Sequence, residues 1–152
     1  TNTVTLQING REVTVAKGLS VVEAAAEAGV EIPVFCYEPR LGAGVGACRM
    51  CLCEIEGIPK LQTACTTPVA DGMIVNSHSP RAREGQDAVL EFLLLNHPLD
   101  CPVCDKGGEC PLQDFSYTFG PAGSKTIIKV GGLGRSTDRD AHSISYATVA
   151  AA

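Results

Sequence analysis

The stretch "NHPLDCPVCDKGGEC", residues 96–110, constrains this chain more than any other. It spaces four metal-ligand side chains, His97, Cys101, Cys104 and Cys110, as H-x3-C-x2-C-x5-C. Pro98 stops the apolar helix expected just before it, because a proline disfavours helical backbone at the preceding residue. Gly107 and Gly108 let the chain turn back, so that Cys110 can reach the centre already begun by Cys101 and Cys104. These four soft or borderline ligands make a complete site. A zinc site built from three cysteines and one histidine satisfies the same spacing, so zinc and iron–sulfur both stay open on spacing alone. A cysteine nucleophile is disfavoured, since it needs a partner base and gains nothing from neighbouring thiols. His97 alone could be a helix-terminus histidine facing the macrodipole; three cysteines at chelating intervals argue against that.

All eight cysteines fall between positions 36 and 110. The N-terminal "TNTVTLQING" has neither the basic region nor the apolar core of a signal peptide, so the chain is expected in a reducing compartment. Clustered cysteines there point to metal binding more than to disulfides. Cys36, Cys48, Cys51 and Cys65 read as C-x11-C-x2-C-x13-C. This is close to the plant-type [2Fe–2S] arrangement, with a longer first loop. Gly42, Gly44 and Gly46 let that loop wrap and aim N–H groups at sulfur, which stabilises negative charge. A structural zinc also takes four cysteines, but zinc knuckles usually pair two C-x2-C units, and only one is present here. Cys53 shares a face with Cys51 if the segment is a strand. It is read as a small packing residue, with substitution for Cys51 as the alternative. His78 and His142 have no cysteine neighbours in sequence and are read as surface residues.

The elements around these sites follow from pattern. "TVTLQI" and "REVTVA" flank Asn9-Gly10, a strong two-residue hairpin signal. "LSVVEAAAEAGVEIP" is a helix with a capping box from Ser20 to Glu23 and Gly29 placed to end it. "CLCEIEG" alternates as a strand, with Leu52, Glu54 and Glu56 on one face and Cys53 and Ile55 on the other. "GMIVNS" is another strand, so the first part is a small α+β sheet. "SPRAREGQDAVLEFLLLN" is a helix capped by Ser79 with Pro80 first, and Val89, Phe92 and Leu93 share a stripe. A short helix lies in "CPLQDFSYTF". Beyond Gly120 only weak strands, at 126–130 and 143–149, are expected.

"FCYEPRLGAGVGACRMCLCEIEG", "ADGMIV" and especially "LLNHPLDCPVCDKGGECPLQD" resemble the N-terminal region of the large iron–sulfur subunits of NADH–quinone oxidoreductase, respiratory complex I. The resemblance covers residues 3–119 and is most specific between Leu94 and Asp114. It implies a β-grasp, ferredoxin-like domain over 1–78. A small helical iron–sulfur segment over 79–119, with one histidine and three cysteines as ligands, would follow. Residues 120–152 are an unassigned tail, expected to be poorly ordered or truncated. Carried over by position, Cys36, Cys48, Cys51 and Cys65 would hold one [2Fe–2S] cluster, and His97, Cys101, Cys104 and Cys110 one [4Fe–4S] cluster. The first cysteine loop is one residue longer than the usual pattern. The family's further cysteines and its large molybdopterin-enzyme-like domain do not follow; a fragment, a truncated product and a shifted reading frame each account for that.

The resemblance implies a relay of single electrons from a flavin site toward quinone. The expected partners are other complex I subunits, including a flavin- and NADH-binding one. The chain would sit on the cytoplasmic face of the inner membrane through its complex. No glycine-rich dinucleotide loop or flavin fingerprint is present, so neither an NADH nor a quinone site is expected on this chain. A net charge of −5 disfavours nucleic acid, and no run reaches the roughly 18 to 20 apolar residues of a membrane span. The alternatives are an iron–sulfur subunit of an NAD-linked hydrogenase or formate dehydrogenase, a standalone ferredoxin, and a zinc-stabilised interaction domain without a redox role.

Overall fold

The structure is a computed structural model that describes residues 2–98 and 100–120. The strands expected at 126–130 and 143–149, and His142, lie outside the described residues. The chain divides into two compact units, Thr1–Val89 and Leu90–Ala152.

The first unit opens with the expected hairpin, β1 (Thr3–Ile8) and β2 (Arg11–Ala16), in antiparallel register with Ile8 opposite Arg11. Asn9 and Gly10 both take positive φ, 51° and 78°, which suits the right-handed twist of the flanking strands. The helix α1 (Val21–Glu27) starts at the Ser20 N-cap. Ser20 N–H donates to Glu23 Oε2 at 2.7 Å, and Glu23 N–H donates weakly to Ser20 Oγ at 3.4 Å, completing the capping box. Gly29 follows with φ 66° and donates to Ala26 O, closing the helix end. Three strands return: β3 (Leu52–Ile55), β4 (Gln62–Thr63) and β5 (Ile74–Asn76). The sheet order is β2-β1-β5-β3-β4, with β1 and β5 parallel and the other pairs antiparallel. This is the expected α+β arrangement. The two-residue β4 is not among the expected elements, because "LQTAC" carries no alternation long enough to show it.

Alternation decides the core. Val4, Leu6 and Ile8 of β1 point inward with Val15, Ile55 and Val75, against Val21, Ala24 and Ala25 of α1. In β3, Cys53 and Ile55 are buried while Leu52 and Glu54 are half-buried, as the alternation predicts.

The helix α2 (Pro80–Leu94) begins where expected, with Ser79 Oγ accepting from Ala82 N–H at 3.1 Å. Its apolar stripe differs from expectation. The buried positions are Ala82, Gln86, Leu90 and Leu94, at i, i+4 spacing, together with Glu91, whereas Phe92 is 75% exposed and Leu93 38% exposed. The difference comes from Gln86, which is polar yet buried: its amide donates to Leu52 O and Ser77 O. In the second unit a 3-10 turn (Cys101–Val103) leads to α3 (Pro111–Phe119), the expected short helix.

Candidate metal centres

The four cysteines expected at the first site lie on three loops, with Cys48 against Cys36 and Cys51 beside Cys65 and Cys48. Cys36 lies beyond α1, Cys48 and Cys51 flank the turn into β3, and Cys65 follows β4. Cys48 N–H donates to Cys36 Sγ at 3.3 Å, and Met50 N–H donates to Cys48 Sγ at 3.4 Å. Arg49 makes the second contact possible by taking φ 64°, which turns the next amide back toward Cys48. That conformation is costly for a residue with a Cβ, and nothing in "CRMC" announces it. Gly44 is required more strictly. A Cβ there would stand 2.3 Å from Cys65 O, a backbone atom that cannot swing aside.

The helix α1 positions Cys65. Its first-turn N–H groups have no partner within the helix; Val22 donates to Ala64 O at 3.1 Å and Val21 to Thr67 O at 2.9 Å. The helix start therefore grips the loop on either side of Cys65. Sequence reasoning misses this grip, because the acceptors are backbone carbonyls.

The thiols differ in how readily they ionise. Burial opposes ionisation of Cys36, but N–H groups of Cys48, Ala47 and Gly46 outweigh it and bring its pKa below the ordinary thiol value. Cys51 is pushed up to about 12, mainly by burial, with the Cys65 and Cys48 thiols adding to it. A thiolate at Cys51 therefore needs a positive partner, which iron supplies. Cys53 is also pushed up to about 12 by burial alone, and its thiol donates to Gln62 O at 3.5 Å. It behaves as a protonated core residue, in line with the packing role expected for it. The donor set thus fits a cluster: N–H groups face sulfur, and the remaining thiols lie beside one another. Tyr37 is an addition to the expected set. Its hydroxyl is buried near Glu23 and Ser20 without a well-formed hydrogen bond to either, and burial together with Glu23 raises its pKa. It lines a cavity of about 460 Å³ together with Cys65 and Gly44.

The second set, His97, Cys101, Cys104 and Cys110, lines a single cavity of about 140 Å³. His97 follows α2 and donates its N–H to Leu94 O at 3.2 Å. Cys101 starts the 3-10 turn that Cys104 ends, and Gly107 N–H returns to Cys104 O at 2.9 Å. Gly108 takes φ 85°, as the expected reversal requires, and Cys110 then serves as N-cap of α3. His97 and Cys104 are exposed and the other two half-buried. Four thiolate and imidazole donors around one mostly apolar cavity fit a cluster's donor chemistry. Among the described residues no three His, Cys, Asp or Glu converge as the ligands of one metal ion would; cluster ligands bind different irons and need not do so. His78, as expected, is exposed, with Nδ1 2.8 Å from Asn9 Nδ2.

A family profile described as a 2Fe-2S iron-sulfur cluster binding domain matches residues 1–80. The chain belongs to this family. A second profile, the NADH-ubiquinone oxidoreductase-G iron-sulfur binding region, matches residues 86–124. Both expected cluster types, [2Fe–2S] and [4Fe–4S], thus have their binding region in this 2Fe–2S family member. It is 49% identical over 115 residues to the G-type subunit of NADH-quinone oxidoreductase from Rickettsia felis, covering 76% of this chain and 17% of that protein. It is 51% identical over 124 residues to the corresponding NADH-quinone oxidoreductase protein of Streptomyces coelicolor, covering 80% and 15%. To the mitochondrial NADH-ubiquinone oxidoreductase 78 kDa subunit of Neurospora crassa it is 48% identical over 117 residues, covering 77% and 16%. The expected kinship with the large iron–sulfur subunit of NADH–quinone oxidoreductase is borne out. The chain spans about one sixth of the length of these relatives. Among solved structures, an NAD+-reducing [NiFe]-hydrogenase in the H2-reduced state matches with TM-score 0.69 and 33% identity, covering 76% of this chain and 48% of that one.

Proposed function

We propose that this chain is an electron-relaying iron–sulfur segment of an NADH:quinone oxidoreductase, with Cys36, Cys48, Cys51 and Cys65 holding a [2Fe–2S] cluster and His97, Cys101, Cys104 and Cys110 a [4Fe–4S] cluster. Residues 1–78 carry the first centre and residues 79–119 the second. The observation that carries the proposal is the shared cavity of His97, Cys101, Cys104 and Cys110, in a region matched by the oxidoreductase-G profile. Each cluster, when bound, supplies a one-electron carrier. The chain's own residues do the rest. N–H groups of Cys48 and Met50 face sulfur and stabilise negative charge there. The grip of α1 on the Cys65 loop fixes that ligand, and the burial of Cys51 and Cys65 keeps water from that side of the site.

Electrons arrive from a flavin- and NADH-binding partner subunit and leave toward quinone on another, so this chain needs neither site. No helix among the described residues is long and apolar enough to cross a membrane; attachment at the cytoplasmic face of the inner membrane runs through the complex. The matched hydrogenase favours a second reading, the iron–sulfur subunit of an NAD-linked hydrogenase. The quinone-linked reading draws on three relatives at about 50% identity against 33% for the hydrogenase.

Anaerobic purification with iron and sulfide counts tests the proposal. About six irons per chain is the expected count, with a brown colour that bleaches with dithionite. About two irons would leave only the first centre, and a colourless zinc protein would overturn both.

A further inference from the structure

We propose that Gln113 is a positioning residue of the second centre, whose side-chain amide donates a hydrogen bond to a cluster held by His97, Cys101, Cys104 and Cys110 and raises its reduction potential. The inference rests on the cluster reading above. Gln113 lines the same cavity as those four residues. Its Oε1 lies 3.5 Å from the backbone nitrogen of Gly108, inside the loop between Cys104 and Cys110. A backbone N–H can only donate, so this contact orients the amide: oxygen toward the loop, Nε2 on the other arm. Nε2 then keeps two N–H groups with no acceptor among the described residues.

The other polar groups of the cavity wall cannot do this work. Ser116 Oγ–H is committed to Leu112 O at 2.6 Å. Asp100, when ionised, accepts and does not donate. The remaining wall is largely apolar, with Leu94, Pro98 and Leu112. Backbone donors point the same way. Cys110 is the N-cap of α3 and makes no side-chain capping bond, Pro111 has no N–H, and Asp114 N–H makes the first intrahelical bond, to Cys110 O. The N–H groups of Leu112 and Gln113 are thus left over at a helix start that favours negative charge. Gln113 is therefore the side chain able to place N–H donors beside the ligands. Reducing a cluster by one electron adds a negative charge, and N–H donors to its sulfurs stabilise the reduced form more than the oxidised one.

The test uses the full chain, anaerobically loaded, with iron counted first. Gln113→Met keeps the side chain's length and removes both N–H groups. In dithionite redox titrations followed by EPR, its second-centre signal is expected at a lower midpoint than in the unsubstituted protein, with the iron count retained. A fully loaded variant with an unchanged or higher midpoint overturns the proposal. Should Gln113→Met not load, the unsubstituted protein decides. With glutamine side chains labelled with 15N, pulsed EPR of the reduced second centre is expected to show a weak 15N coupling, distinct from the 14N of His97, and its absence overturns the proposal. Unsubstituted protein that takes up no iron overturns the underlying cluster reading; iron present with no coupling overturns only the role of Gln113.

Discussion

Gly44 sits where a Cβ would press on the Cys65 carbonyl at 2.3 Å. Gly44→Ala should therefore displace Cys65 and empty the first centre while sparing the second. The check is an iron count falling from about six to about four per chain, with loss of the [2Fe–2S] EPR signal alone. His97 carries an equally sharp expectation. Replacing its neutral imidazole with a thiolate makes the cluster one unit more negative, which lowers its potential by the logic of Rieske centres. Burial acts in the same direction, because a low-dielectric site raises the cost of added negative charge; with His97 and Cys104 exposed, the change of ligand charge is the larger part. His97→Cys should keep four irons at the second centre, about the full complement, and lower its EPR midpoint; an unchanged or higher midpoint would refute this.

Among the elements, α1 joins folding to the site. Its capping box satisfies the helix start and its next N–H groups hold the Cys65 loop. Ser20→Ala should cost about 1 kcal/mol of stability, measured by chemical denaturation, and should slow loading of the first centre. The same box predicts a pH dependence. The Ser20 N–H and hydroxyl, aided by Tyr37 and opposed by burial, hold Glu23 below the ordinary glutamate value of 4.5. A carboxylate whose folded pKa is depressed adds stability above its unfolded pKa and loses it as pH falls through the folded value. The stability gap between the native chain and Glu23→Gln should accordingly shrink as pH falls below 4.5; a gap that stays constant well into the acid range would count against it. The local elements were legible in sequence for good physical reasons. The Asn9-Gly10 turn, the Ser20 and Ser79 caps and the alternation of β3 are short-range effects written in residue type. What was not legible is long-range or backbone-borne: β4, the buried Gln86 on α2, the left-handed Arg49 and the carbonyls that α1 grips. Both proposed ligand sets rest on the spacing that chelation leaves in a chain.

For the whole molecule, the two ligand sets lie in separate compact units, the first ending at Val89. They should therefore fill independently. Cys36→Ser is expected to abolish the [2Fe–2S] signal and leave the second centre's iron and EPR spectrum intact; joint loss would mean that the units load as one. The sheet order adds a consequence in time. The parallel pairing of β1 with β5 places one end of the chain beside a strand made much later, and Asn9 binds Ser77 across 68 positions. Every proposed ligand of the first centre, Cys36, Cys48, Cys51 and Cys65, lies inside the loop that this pairing closes. Contacts of such separation form late, because the entropy of closing the loop must be overcome first. On the ribosome, the proposed first centre should therefore stay open to iron donors until β5 has emerged, and a cluster, once bound, would act as a cross-link that holds the loop shut.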